Sequence, residues 1–122
     1  MKKLLFFAIA AIVCISCSKD NSDDKNALVG KWEAINGHEF VDNNWVLSDT
    51  YDPNELVLEF TKNEVTQYDG GVKTISVTYS YNASKKEITI LGIVSEVELT
   101  STQLVIIAKD GEEIYKTTYK KI

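Results

Sequence analysis

From Leu28 to Ile122 apolar and polar residues alternate with a period of two, and turn-forming dipeptides interrupt the alternation at short intervals. Successive side chains of an extended strand point to opposite faces, so this pattern buries one face of each strand and wets the other. No stretch of the region carries the three-to-four-residue apolar spacing of a helix. Val, Ile, Thr and Tyr are abundant and Pro53 is the single proline, a composition that favours strands. The region, 95 residues long, is enough for one domain and too short for two.

The expected strands follow from the punctuation. Leu28 to Ile35 forms the first and ends at Asn36-Gly37, a turn dipeptide; Phe40 to Leu47 forms a weaker second, broken by Asp42-Asn43-Asn44. Leu56, Leu58 and Phe60 give a third strand one core face. Glu64 to Tyr68 leads through Asp69-Gly70-Gly71 into Val72 to Tyr81, where Ile75, Val77, Tyr79 and Tyr81 share a face. Glu87 to Leu91, a break at Gly92, Ile93 to Thr100 and Leu104 to Ala108 come next. A type I′ hairpin on Asp110-Gly111 then leads into Ile114 to Lys121. Eight or nine short strands joined by tight turns make an antiparallel meander, and closing it into a small up-and-down β-barrel removes exposed edges. An eight-stranded interior is either filled by side chains or holds one small ligand, and the pattern is compatible with both.

The first residues are of another kind. Lys2 and Lys3 precede an apolar run from Leu4 to Ile15, well short of the roughly 20 residues of a membrane-spanning helix. This is a targeting segment, with small Ser16 directly before Cys17 and bulky Val13 before Cys14. It resembles the lipobox of Gram-negative lipoproteins, whose cysteine receives diacylglycerol and further acyl chains such as palmitate, with cleavage just before it. Cys14 stands where that motif usually has leucine. An ordinary secretory signal cut nearby is the alternative. The resemblance implies a signal peptide over residues 1–16, lipidation at Cys17, a tether over 17–27 and a β-domain over 28–122. Ser18 to Asn26 contains no apolar residue and is expected to be a flexible acidic tether. Two or three acyl chains, at about 0.8 kcal/mol per buried methylene, would hold the protein stably on its membrane. The outer membrane is the expected address, on its periplasmic or cell-surface face.

Once Cys14 is removed and Cys17 acylated, no thiol remains for a disulfide, a metal or a nucleophile. The β-region carries nine lysines, no arginine and fifteen carboxylates, a net charge of −6, which argues against nucleic acid as a partner. His38 is the single histidine, so no zinc site of ordinary composition can be assembled, and a surface turn is its expected place. Asp42, Asp49, Asp52 and Glu55 have oxygen ligands suited to calcium, but not the spacing of an EF-hand loop, and read better as a solvated acidic segment. Asn82-Ala83-Ser84 reads as a turn. No Gly-x-Ser-x-Gly elbow accompanies the serines, so no enzyme is expected, and no cofactor.

Leu28-Val29-Gly30-Lys31-Trp32 places a Gly-x-Trp motif on the first strand, and here the chain resembles the lipocalin-like lipoproteins of Gram-negative bacteria. Leu58 to Asn63, the Tyr-containing strand after it, Leu104-Val105-Ile106 and Tyr119 are similar to the same small domains. The resemblance implies that Trp32 closes one barrel end and that Gly30 lets the backbone pass close to it. The arginine that packs over this tryptophan in lipocalins is missing, and Lys116 or Lys120 is the expected substitute. The implied function is a non-enzymatic, monomeric, membrane-anchored protein that binds a small apolar ligand or a cell-surface partner through one barrel mouth. Trp45, Tyr51, Tyr79 and Tyr81 are the candidate contacts, with core packing the competing role for Trp45 and the strand tyrosines. The alternative is a protein inhibitor or accessory module of an outer-membrane complex that docks through Asp42 to Pro53. A filled interior with an exposed aromatic patch near Trp45 would favour a protein partner; an open apolar interior would favour a ligand.

Overall fold

The computed structural model describes residues 27–122. The signal, lipidation and tether readings, Cys17 included, lie outside the described residues. Nine antiparallel strands follow in order: β1 (Gly30–Val41), β2 (Asn44–Thr50), β3 (Leu56–Phe60), β4 (Glu64–Asp69), β5 (Val72–Asn82), β6 (Glu87–Ile90), β7 (Ile93–Leu99), β8 (Gln103–Asp110) and β9 (Glu113–Lys121). From β3 to β9 each strand pairs with the next, and β1 pairs with both β3 and β9, which closes an eight-stranded barrel. The expected all-β up-and-down barrel is thus the observed fold.

The ninth strand exists because β1 is longer than its neighbour. The first half of β1, Gly30 to Glu33, pairs with the five-residue β3. The second half, Asn36 to Val41, pairs on that same edge with β2, which folds back from a hairpin turn. β2 hydrogen-bonds to no other strand, so β2 and the upper part of β1 form an arm at one end of the barrel.

Two expected turns move. Asn36-Gly37 does not end β1: both residues lie within the strand, with Asn36 paired to Thr118 and Thr50, and Gly37 to Thr117 and Asp49. Register shifts at Ala34/Asn36 and Gly37/His38 absorb the irregularity as bulges. The reversal falls instead on Asp42 and Asn43, both at positive φ (50° and 66°), as a type I′ turn requires. The weaker second strand expected over Phe40 to Leu47 is therefore divided between the end of β1 and β2, and the segment read as solvated and acidic is strand through Thr50. In the last hairpin Asp110 pairs with Glu113, so the central residues are Gly111 and Glu112 rather than Asp110-Gly111. Gly111 alone has positive φ (65°), the requirement of a type II′ turn and not of type I′. Gly70-Gly71 and Leu91-Gly92 are two-residue turns with positive φ at both positions.

One end of the barrel is closed by side chains. Leu28, Trp32, Leu58, Phe60, Val65 and Leu104 are almost entirely buried in the core. Trp32 Nε1 donates to the Leu28 carbonyl at 2.9 Å, so the chain entering the domain is bonded to the plug itself. Gly30 has φ of +134°, a conformation that L side chains rarely adopt, and a Cβ there would stand 2.8 Å from Lys121 Cε. Lys121 passes over Gly30, donates to the Val29 carbonyl at 3.3 Å and places Nζ 4.8 Å from the Trp32 ring centroid. A C-terminal lysine does cover the tryptophan, but it is neither of those expected. The register sets Lys121 opposite Trp32, whereas Lys120 faces Glu33 and pairs with it at 3.6 Å. Lys116 stands at the other end of the molecule.

Candidate functional site

The opposite end of the barrel differs in chemistry. Here the core gives way to a slot beneath the arm, walled by Leu56, Ile106 and Ala108 and rimmed by Tyr51, Tyr115, Asp49 and His38. Its cavity volume is about 40 Å³. That is room for two or three waters, far below the ≈ 300 Å³ at which ligand pockets begin. The slot therefore has no lipocalin-sized cavity beneath the arm; a wider, open cleft of about 560 Å³ lies elsewhere, between β5, β6 and β7, lined by Tyr81, Lys86, Glu96, Val97 and Leu99.

The 51–55 connection positions the rim. Tyr51 N–H donates to the Ile35 carbonyl at 3.1 Å, continuing the β1–β2 pairing by one step and turning the ring toward the core. Glu55 closes a tight turn by accepting from Asp52 N–H at 2.8 Å, and Asn54, at φ of 68°, donates its N–H to Glu33 Oε2 at 2.5 Å. Burial first, and then the charges of Asp49 and Glu55, push the Tyr51 hydroxyl up to about 12. Tyr119 at the inner wall is pushed above the ordinary tyrosine range by burial, and then by Tyr51. The Tyr115 hydroxyl donates to the Glu113 carboxylate.

Gln67 lies at the floor of the slot. It is 1 % exposed, the one fully buried polar side chain among the described residues, and its Oε1 has no hydrogen-bond partner. Leu58 and Ile75 flank it in the sheet. The sequence reading missed it, although the signal was present. In β4 the inward positions are Val65 and Gln67, so a polar residue stands where the alternation calls for an apolar one. His38 was also misplaced: it is a half-buried strand residue at the slot, with Nδ1 buried and unpartnered, rather than a surface turn residue.

The arm beside the slot is apolar and exposed. Phe40, Val41, Trp45, Val46 and Leu47 are 36 to 55 % accessible, and every β2 residue except Asp49 is exposed. The Phe40 and Trp45 rings pack at 5.0 Å between centroids, and Lys116 Nζ lies 4.5 Å from the Trp45 ring centroid. Trp45 is thus a strand residue outside the core. Of the four candidate aromatics, the fold brings Tyr51 to the slot and Trp45 to the arm, with Lys116 touching both regions. Tyr79 is elsewhere, at the closed end. It packs edge-on against Phe60 at 5.1 Å and donates to the Thr61 carbonyl at 2.8 Å, and burial pushes its hydroxyl up to about 12. Tyr81 packs against the core without reaching the slot.

Among the described residues no group of three or more His, Cys, Asp or Glu is placed to hold a metal ion. No family model and no curated protein matches the chain. Among solved structures, the chain resembles the crystal structure of a DUF4847 family protein from Bacteroides vulgatus, with a TM-score of 0.56. The likeness covers 79 % of this chain and 95 % of that one, at 11 % identity. It is a likeness of fold.

Proposed function

We propose that the protein is a non-enzymatic lipoprotein of the cell envelope, anchored through Cys17, that holds a protein partner on its β1–β2 arm. The observation that carries this reading is the arm itself, with five large apolar side chains exposed on two strands and one strand edge unpaired. Such an edge is a template for pairing with another extended segment, and β2 contains no lysine or proline to block it. Trp45 and Leu47 alternate with Val46, so an added strand would find anchors on both faces. The slot beside the arm argues the same way, because at about 40 Å³ it has no space for an apolar ligand of ordinary size.

The test is a photo-crosslinking residue at Leu47 in the full-length protein, expressed in its own cell envelope, with a second probe at Thr78 on a barrel strand as control. Adducts to one envelope protein at Leu47, absent at Thr78 and lost with Trp45→Ala, are expected. Identical adduct patterns at the two positions would refute the docking role. The anchor has its own test: Cys17→Ser should move the protein out of the membrane fraction, and continued sedimentation with membranes would refute lipidation.

A further inference from the structure

We propose that the slot at the open end of the barrel binds a protonated primary amine carried on a short apolar stem, with the Gln67 carboxamide as its floor. The inference goes beyond the docking role of the arm and does not depend on it. It begins from a buried group that the fold does not require. Gln67 is 1 % exposed with an unpartnered oxygen, and its flanking residues in the sheet, Leu58 and Ile75, are apolar. Buried polar atoms are nearly always hydrogen-bonded, so an orphan facing a cavity marks a place for something that donates to it.

The surroundings select the donor. Among the described residues, two acceptors without a cation beside them face the slot, the unpartnered Gln67 Oε1 and the Asp49 carboxylate, together with the His38 ring, whose buried Nδ1 also lacks a partner, and the hydroxyls of Ser48 and Thr117. The negative charges of Asp49 and Glu55 help to hold the Tyr51 hydroxyl protonated, which makes the rim unfavourable for an anion. Lys116 is the one lysine of the lining, and its Nζ stands over Trp45. An ammonium head carries three donors and no acceptor and is attracted to tyrosine ring faces. Its methylenes would lie against Leu56, Ile106 and Ala108. The amine has two possible sources: a small free alkylamine, or a lysine side chain of a docked polypeptide.

The test uses isotope-labelled full-length protein in non-ionic detergent, titrated with n-butylammonium, n-butanol and butyrate, and read by NMR at the Gln67 side-chain amide. Saturable shifts with n-butylammonium are expected, with n-butanol at least about tenfold weaker and butyrate inactive. Gln67→Met, which lacks that reporter and is followed instead at the backbone amides of His38 and Asp49, should weaken the amine by about ten- to a hundredfold. Asp49→Asn at the rim, which leaves the core intact, should weaken the amine and leave n-butanol unchanged, and it decides the matter if Gln67→Met does not fold. A blocked lysine peptide distinguishes the sources. Binding that also shifts Trp45 identifies a polypeptide side chain, and binding of the free amine alone identifies a small ligand. Equal responses to n-butylammonium and n-butanol, or no shift at Gln67 with any probe, would overturn the proposal and leave the slot to water.

Discussion

Replacing Gln67 with methionine should make the protein more stable. In the native barrel the carboxamide is 1 % exposed and its oxygen lacks a partner, whereas in the unfolded chain water satisfies it. Burying an amide without a compensating hydrogen bond costs about 1–3 kcal/mol in protein mutational series. Methionine has nearly the same length, loses a similar rotamer entropy and removes the polar atoms, so most of that cost should return as stability. For a domain of this size the gain raises the melting temperature by roughly 4–8 °C per kcal/mol. Urea unfolding followed by tryptophan fluorescence measures it, with the midpoint shifted and the slope unchanged. Gln67→Ala should have the opposite sign, because it leaves a cavity against Leu58 and Ile75. A loss of more than about 1 kcal/mol in Gln67→Met would refute the reasoning, since it would mean that the carboxamide is well partnered. Higher stability together with weaker amine binding is the signature of a residue kept for a ligand at the expense of the fold.

The two tryptophans should separate fold from surface. Trp32→Ala removes a fully buried plug and should cost about 3–5 kcal/mol, whereas Trp45→Ala loses one aromatic contact and one cation contact and should cost about 1 kcal/mol by the same urea assay. Lys121→Met keeps the stem over Gly30 but removes the charge above Trp32, and should lower stability by about 0.5–1 kcal/mol; an unchanged midpoint would remove the cation–π contact from the account. Gly30→Ala meets both a +134° φ and Lys121 Cε and should cost about 1–3 kcal/mol, less in the Lys121→Ala background if the clash contributes. Alkali should unfold the protein: Tyr51 and Tyr79 titrate near 12 when folded and near 10 when unfolded, so only the unfolded state loses its protons between these values. The stability they contribute is complete below pH 10 and is lost as pH rises toward 12, a decline that urea midpoints against pH would show and that Tyr79→Phe should reduce.

Where the fold was legible, a local signal and the long-range pairing agreed. Gly70-Gly71 lies between two alternating runs of matching parity and turns where the sequence says it should. Asn36-Gly37 carries a comparable local preference, but β9 on one side and β2 on the other supply hydrogen-bond partners through both residues. Two bulges then cost less than ending the strand, and Asp42-Asn43, whose short polar side chains tolerate positive φ, takes the reversal. The covering lysine follows the same rule. Composition identifies a cation near the C-terminus, yet only the β1–β9 register, which no local pattern encodes, assigns the contact to Lys121 and not to Lys120. The candidate site was less legible because it depends on such registers throughout. Trp45 and Tyr51 are six residues apart and face different environments, and Gln67 becomes informative only when its parity places it inward.

The barrel has unlike ends, and the direction of β1 relates them to the proposed anchor. β1 starts at the closed end, where the Leu28 carbonyl is bonded to Trp32, and its 12 residues run to the arm, roughly 40 Å away at strand rise. If Cys17 is the anchor, the attached chain joins the domain at the closed end, and the slot and the arm lie at the opposite end of the barrel. The separation has a physical use. An arm carrying Phe40, Trp45 and Leu47 beside the bilayer could bury them in lipid, whereas at the far end they must find protein to leave water. A fluorophore at Leu47 on the vesicle-bound lipidated protein should thus be quenched by a water-soluble quencher and not by a lipid-borne one. The reverse pattern would make the arm a second membrane contact and remove the reason for a protein partner.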